Sequence, residues 1–124
     1  MSHQPAIYIT AADYDCLSDI VPHHEIAGTG PALLSHELDR ANVVGAASRR
    51  RFVRLGSTLT FEDEKTGRQR EVRLVLPREA DIDRGLVSVL SPVGAALIGL
   101  PVGPVFRWQD REGRTHGVRV LAIA

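Results

Sequence analysis

Apolar positions recur every three to four residues through much of the first half of the chain and every second residue through much of the second half. This change of period predicts helices followed by strands, the order of a helical appendage joined to an α+β domain, with the break near residues 43–52. Ile7, Tyr8 and Ile9 read as a short extended stretch. Thr10 followed by Asp13 has the form of a capping box with the shorter acid at its third helical position, so a helix is expected to begin near residue 11. Tyr14, Leu17 and Val21 keep helical spacing with Ile20 beside them. Pro22 ends the pattern, because its ring cannot continue the hydrogen-bond ladder and it turns the preceding residue away from the α region. The polar stretch from His23 to Gly30 reads as a loop. Pro31 then suits a first helical position, Leu34, Leu38 and Ala41 share one face of a second helix, and Asn42 is placed to close it. Two short helices with one narrow apolar stripe each predict an antiparallel, coiled-coil-like hairpin. Helices shorter than about 12 residues are seldom stable alone in water, so this hairpin is expected to lean on the rest of the chain or on a partner.

From Phe52 and Val53 the pattern changes. Residues 58–61 alternate, 62–67 form a polar turn, and 71–76 alternate again, which predicts a β-hairpin. Pro77 stops that strand, the acids Glu79, Asp81 and Asp83 occupy a loop, and Leu86 to Leu90 form a third apolar run. Ser91 can cap a helix whose first residue is Pro92, Ala95 to Ile98 make that helix apolar, and Gly99 can end it in the left-handed conformation. A turn at Val102-Gly103, a strand at 105–108, a hairpin turn at 110–113 and a last strand at 118–123 complete the reading. The expected fold is α+β: a helical hairpin over residues 1–47, then an antiparallel sheet wrapped around one short buried helix over residues 48–124.

Composition narrows the function classes. The 124 residues suffice for one core and carry fifteen acidic and fifteen basic side chains, so electrostatic targeting must come from local clusters. Arg49, Arg50, Arg51 and Arg54 form such a cluster at the junction, read either as a solvated linker or as a patch that meets an acidic surface or a phosphate backbone. Cys16 is the only cysteine, which excludes an internal disulfide and fits a reducing compartment, the cytoplasm. No apolar run approaches the roughly 18 residues of a membrane span, and the first residues lack the charged and apolar regions of a signal peptide.

Gly56-Ser57 before an alternating strand, then the run from Leu90 through Ser91, Pro92, Gly94, Ala96, Leu97 and Gly99, then Val102-Gly103, resembles the C-terminal domain of the Gre transcription factors. The residues 34–41, Leu-Ser-His-Glu-Leu-Asp-Arg-Ala, and the entry Ile7-Tyr8-Ile9-Thr10 with Asp13 are similar to the Rnk family, regulators of nucleoside diphosphate kinase, which carry a short hairpin where Gre factors carry a long coiled coil. The resemblance implies an FKBP-like C-terminal domain, a monomer, and binding to RNA polymerase near its secondary channel with indirect contact to the nucleic acid of the transcription complex. It implies a regulator, not an enzyme, and no cofactor.

Gre-type transcript cleavage needs two tip carboxylates, whose oxygens hold a hard cation and orient a water. The predicted tip offers only Glu25, with Asp19 a turn earlier, and a helix of about 11 residues reaches roughly 16 Å at 1.5 Å per residue. Polymerase docking without cleavage is therefore expected, with Asp19, Glu25 and the four arginines as contact candidates; a reduced cleavage factor using Glu25 with Asp19, or a module acting on nucleoside diphosphate kinase, is the alternative. His23 and His24 lack the one-face spacing of a helical metal site and read as solvated loop, Cys16 as a packed thiol, and the 79–83 acids as a solvated connection. Phe61, Phe106 and Trp108 sit at strand spacing, which favours packing over a base-stacking platform, and too few aromatics remain to line a prolyl-isomerase pocket.

Overall fold

The computed structural model describes residues 4–21 and 29–124. Strand β1 (Tyr8–Thr10) runs into helix α1 (Ala11–Ile20), and helix α2 (Thr29–Arg40) into strand β2 (Asn42–Val44). Strands β3 (Thr58–Asp63), β4 (Gln69–Val75) and β5 (Leu86–Ser88) precede helix α3 (Pro92–Leu97), and β6 (Val105–Gln109) and β7 (Thr115–Ile123) end the chain. Two single turns of 3-10 helix, Pro77–Glu79 and Ile82–Arg84, occupy the acidic loop.

The main sheet has the order β5-β4-β3-β7-β6. It is antiparallel except at its edge, where β5 runs parallel to β4, which corrects the all-antiparallel expectation. The excursion through residues 76–85 carries the chain back beside Arg73, upstream of where β4 ends, so Leu86 to Ser88 run past Arg73 to Val75 in β4's own direction. A second sheet pairs β1 with β2 in parallel, Tyr8 opposite Asn42 and Thr10 opposite Val44. Asn42 therefore opens a strand instead of closing a helix; its backbone and side-chain nitrogens both donate to the Ile7 carbonyl, at 3.0 and 3.1 Å.

One core joins both halves of the sequence: Ile7, Ile9, Leu17, Leu34 and Leu38 belong to the same buried cluster as Leu59, Leu74, Leu97 and Val120. Thr10 caps α1 as expected, its hydroxyl accepting from the Asp13 amide. The Asp13 carboxylate does not return to the cap. It accepts from the Leu55 amide at 3.2 Å and ties the first helix to the stretch that leads into β3. Pro31 stands third in α2, still within the first turn, where its missing N–H leaves no intrahelical bond unmade. α2 packs more extensively on α3 than on α1.

Candidate functional site

The elements around α3 set the geometry. Ser91 Oγ accepts from the Gly94 amide at 3.1 Å and donates to the Ser88 carbonyl at 2.6 Å, so one hydroxyl both caps the helix and fixes the turn that leads into it. Two glycines allow backbones to close on that turn. A Cβ on Gly94 would stand 1.9 Å from the Ser88 oxygen, and one on Gly30 of α2 would stand 1.8 Å from the Leu90 oxygen. At the other end Gly99 takes φ +80°, and a Cβ there would meet the Tyr8 oxygen at 2.7 Å. Gly99 and Leu100 are bonded on both sides, Tyr8 N–H to the Gly99 carbonyl at 3.1 Å and Val53 N–H to the Leu100 carbonyl at 3.0 Å. The residues singled out in sequence thus serve first as the seam where the amino-terminal segment, α3 and the Phe52-Val53 stretch meet. Gly56 and Gly103 adopt φ of +85° and +118° in the loops beside it.

Beside the N-terminus of α3 lies an apolar cleft of about 320 Å³, formed by Ala80, Ile82, Leu86, Val87, Pro92 and Val93. Ile82 projects into solvent with 76% of its surface exposed, the largest value among the exposed bulky apolar residues. By its composition alone this stretch reads as a solvated acidic loop. The signal that marks it is the single Ile between Asp81 and Asp83, an apolar residue that no strand or helix period requires.

The basic junction is more ordered than a solvated linker. Arg50 lies over the Tyr8 ring at 4.6 Å and bonds its hydroxyl at 3.2 Å, and Arg54 lies over the Phe52 ring at 4.7 Å. The two rings stand 5.9 Å apart, so guanidinium, ring, ring and guanidinium follow one another across the junction. Arg51 donates to the Ile123 carbonyl at 2.6 Å, and Arg49 is exposed. Asp19 is exposed in the last turn of α1, far in sequence from this group, while Glu25, His23 and His24 lie outside the described residues.

A buried ion pair escaped the sequence reading. Glu37 is 1% exposed and accepts from Arg40 at 2.6 to 3.0 Å through both its oxygens. Arg40 also donates to the Pro5 carbonyl at 2.8 Å and stands 5.7 Å from the centre of the Phe106 ring. Spacing three apart on a helix is ordinary for a surface pair, and nothing in the local pattern marks this one as interior. On the β6–β7 hairpin, Asp110 holds the turn: one oxygen accepts from the amides of Glu112 and Arg114, the other meets His116 Nε2 at 2.9 Å. The His116 hydrogen bond, aided by those two amides and opposed by partial burial, lowers the Asp110 pKa below 3.8. Among the described residues no three His, Cys, Asp or Glu gather to hold a metal ion, and no helix is long and apolar enough to cross a membrane.

This arrangement, a capped glycine-flanked helix held in a curled sheet, is that of the GreA/GreB transcription elongation factors. The family described as "Transcription elongation factor, GreA/GreB, C-term" matches residues 48–124, and the chain belongs to it. Over 97% of its length the chain is 30% identical to the Regulator of nucleoside diphosphate kinase of Escherichia coli K12, 90% of which is covered. Over 68 residues it is 46% identical to Transcription elongation factor GreA of Syntrophobacter fumaroxidans, and it spans 43% of that protein. It likewise spans 56% of GreA from Cereibacter sphaeroides, at 38% identity. Among solved structures, the prokaryotic transcription elongation factor GreA/GreB from Nitrosomonas europaea superposes with a TM-score of 0.71 at 30% identity, covering 98% of this chain and 99% of that one.

Proposed function

We propose that this protein is a regulator that docks on RNA polymerase near the secondary channel and does not stimulate transcript cleavage. The observation that carries the reading is the apolar cleft at the head of α3: it is built from the stretch the chain shares with elongation factors, and it leaves Ile82 in water, where a partner surface would cover it. In this reading the sheet and α3 form an FKBP-like docking domain over residues 48–124, and residues 1–47 form a short helical hairpin. Arg50 and Arg54 add an electrostatic contact, since guanidiniums already held against rings lose little freedom on binding, and Arg49 and Arg51 extend the same basic patch. Asp19, in the last turn of α1, and Glu25, which lies outside the described residues, are the acidic contact candidates. With 10 and 12 residues, α1 and α2 extend about 15 and 18 Å. That reach, and a sequence that offers only Glu25 between the two helices where a cation site takes two carboxylates, supports docking over hydrolysis.

The test is competition for core polymerase between this protein and a GreA factor. Ile82→Glu and the Arg49/Arg50/Arg51 alanine variant are expected to weaken binding at least about tenfold, the scale of losing one well-buried or charge-paired contact. RNA cleavage in backtracked complexes is expected to stay at its level without the protein. Undiminished binding by Ile82→Glu would remove the cleft from the account. The match to the Regulator of nucleoside diphosphate kinase favours a second reading, in which the partner is that kinase. A pull-down that retains the kinase and loses polymerase decides for it.

A further inference from the structure

The concave face of the main sheet continues past α3 and ends in a second cavity, about 720 Å³, that the docking reading does not use. Its floor is Phe61, Val118 and Trp108, and its wall is His116, whose ring stacks on Trp108 at 5.3 Å between centroids and 25° between planes. Arg68, just before β4, and Arg70, its second residue, also line the cavity, and neither forms an ion pair with a described residue. Of the acids nearby, Asp63 lines the cavity, while Glu64 and Asp110 hold basic partners of their own. Asp63 Oδ1 accepts from the amides of Lys65 and Thr66, Glu64 holds Arg107 at 2.9 and 3.0 Å, and Asp110 holds His116 and its own turn. The indole Nε1 of Trp108, on a residue 8% exposed, has no hydrogen-bond partner among the described residues.

We propose that this cavity binds a small molecule with a planar heteroaromatic body and a phosphate group, the chemistry of a nucleoside monophosphate. The volume falls in the range of small-ligand sites, a few hundred to a thousand cubic ångströms. Arg70, the second residue of β4, and Arg68, which stands just before that strand, bring two guanidiniums to the cavity, and Arg engages a phosphate in bidentate fashion. The His116 ring, its side chain 40% exposed, offers a face for a stacked heterocycle over an apolar floor. The cavity shares Phe61, Arg70 and Val93 with the cleft at the head of α3, so an occupant would also alter that cleft's edge.

Trp108 is the only tryptophan in the chain and lies in the site, which gives a direct readout. The full chain is titrated with adenosine 5′-monophosphate, with calorimetry in parallel to intrinsic fluorescence. A saturable change in Trp108 emission is expected below about 5 mM, with adenosine and inorganic phosphate each binding at least about tenfold more weakly, since each supplies half of the contacts. The Arg68→Ala/Arg70→Ala variant is expected to lose about tenfold or more in affinity while keeping its circular dichroism spectrum. Absence of saturation by both methods overturns the proposal. So does equal binding of adenosine alone, which needs no variant, and so does undiminished binding by a folded double variant. None of these outcomes bears on polymerase competition, which is measured separately.

Discussion

The concave face of one sheet has two ends with opposite fates. Near α3, Leu59, Leu74, Phe106 and Val120 are covered and at most 1% exposed. Beyond α3 the same strands carry Arg70, Asp63, Trp108 and His116 toward an open cavity. Strand alternation is the same at both ends, with Phe106 and Trp108 two apart on β6 and His116 and Val118 two apart on β7. What differs is the cover. α3 has six residues, about 9 Å of helix, and spans only part of the face. A short helix thus divides one surface into a sealed core and a lined cup, and the polar residues fall where it stops.

Breaking the sealed end should have the largest effect. Gly94→Ala places a methyl group 1.9 Å from the Ser88 carbonyl oxygen, and is expected to cost about 3 kcal/mol in chemical denaturation. A loss below about 1 kcal/mol would mean that the 88–91 turn yields easily and that the close approach is not what holds α3. Arg40→Ala comes next. It leaves the Glu37 carboxylate interior without its partner, but the Arg40 side chain is 25% exposed and water can enter in its place, so the expected loss is about 2 kcal/mol. Repeating the measurement with Glu37→Gln/Arg40→Ala should recover part of that loss, because the uncompensated charge is then gone.

At the open end the effects should be small. Trp108→Phe removes a donor that has no acceptor among the described residues and keeps an aromatic ring, so stability is expected to change by less than about 1 kcal/mol. A loss of about 3 kcal/mol would show that the indole nitrogen is paired after all. The smallest effect concerns acid. Asp110 has its pKa lowered in the folded chain, chiefly by the His116 hydrogen bond, so its contribution to stability is complete above the ordinary carboxylate range and is lost as pH falls through the lowered value, below 3.8. In His116→Ala the Asp110 carboxyl, followed by NMR titration, is expected to move up toward 3.8; an unmoved titration would assign the shift to the two turn amides instead.

The legible parts of the fold were those with a local cause. Thr10 and Ser91 cap their helices from position and chemistry, Gly99 ends α3 with positive φ, and both hairpins fall where turn residues interrupt alternation. Phe61 and Phe106 pack in the core as their strand spacing implied. The missed parts depend on partners distant in the chain. Residues 42–44 form a strand because β1, over thirty residues earlier, offers an open edge, and β5 runs parallel because of where the 76–85 excursion ends. Asp13 looked like half of a capping box, and its carboxylate serves Leu55.

The candidate sites divide in the same way. The residues 90–99 announced a Gre-type domain from their own order, and the comparisons agree over residues 48–124. The junction arginines were visible as a cluster, but only folding lays Arg50 on Tyr8 and Arg54 on Phe52. Neither cavity was foreseen. Each is lined from strands and turns far apart in sequence, and concavity has no period along a chain.

By itself, then, the sequence determined the family, the order of helices and strands, the caps and the helix-ending glycine, because each follows from interactions within a few residues of its cause. Tertiary structure alone decided that Glu37 is interior, that Ile82 stands in water beside a cleft, and that Arg68, Arg70, Trp108 and His116 share one cup. Burial and convergence depend on which surfaces α2 and α3 cover and where those short helices end, and that is settled only when distant segments pack.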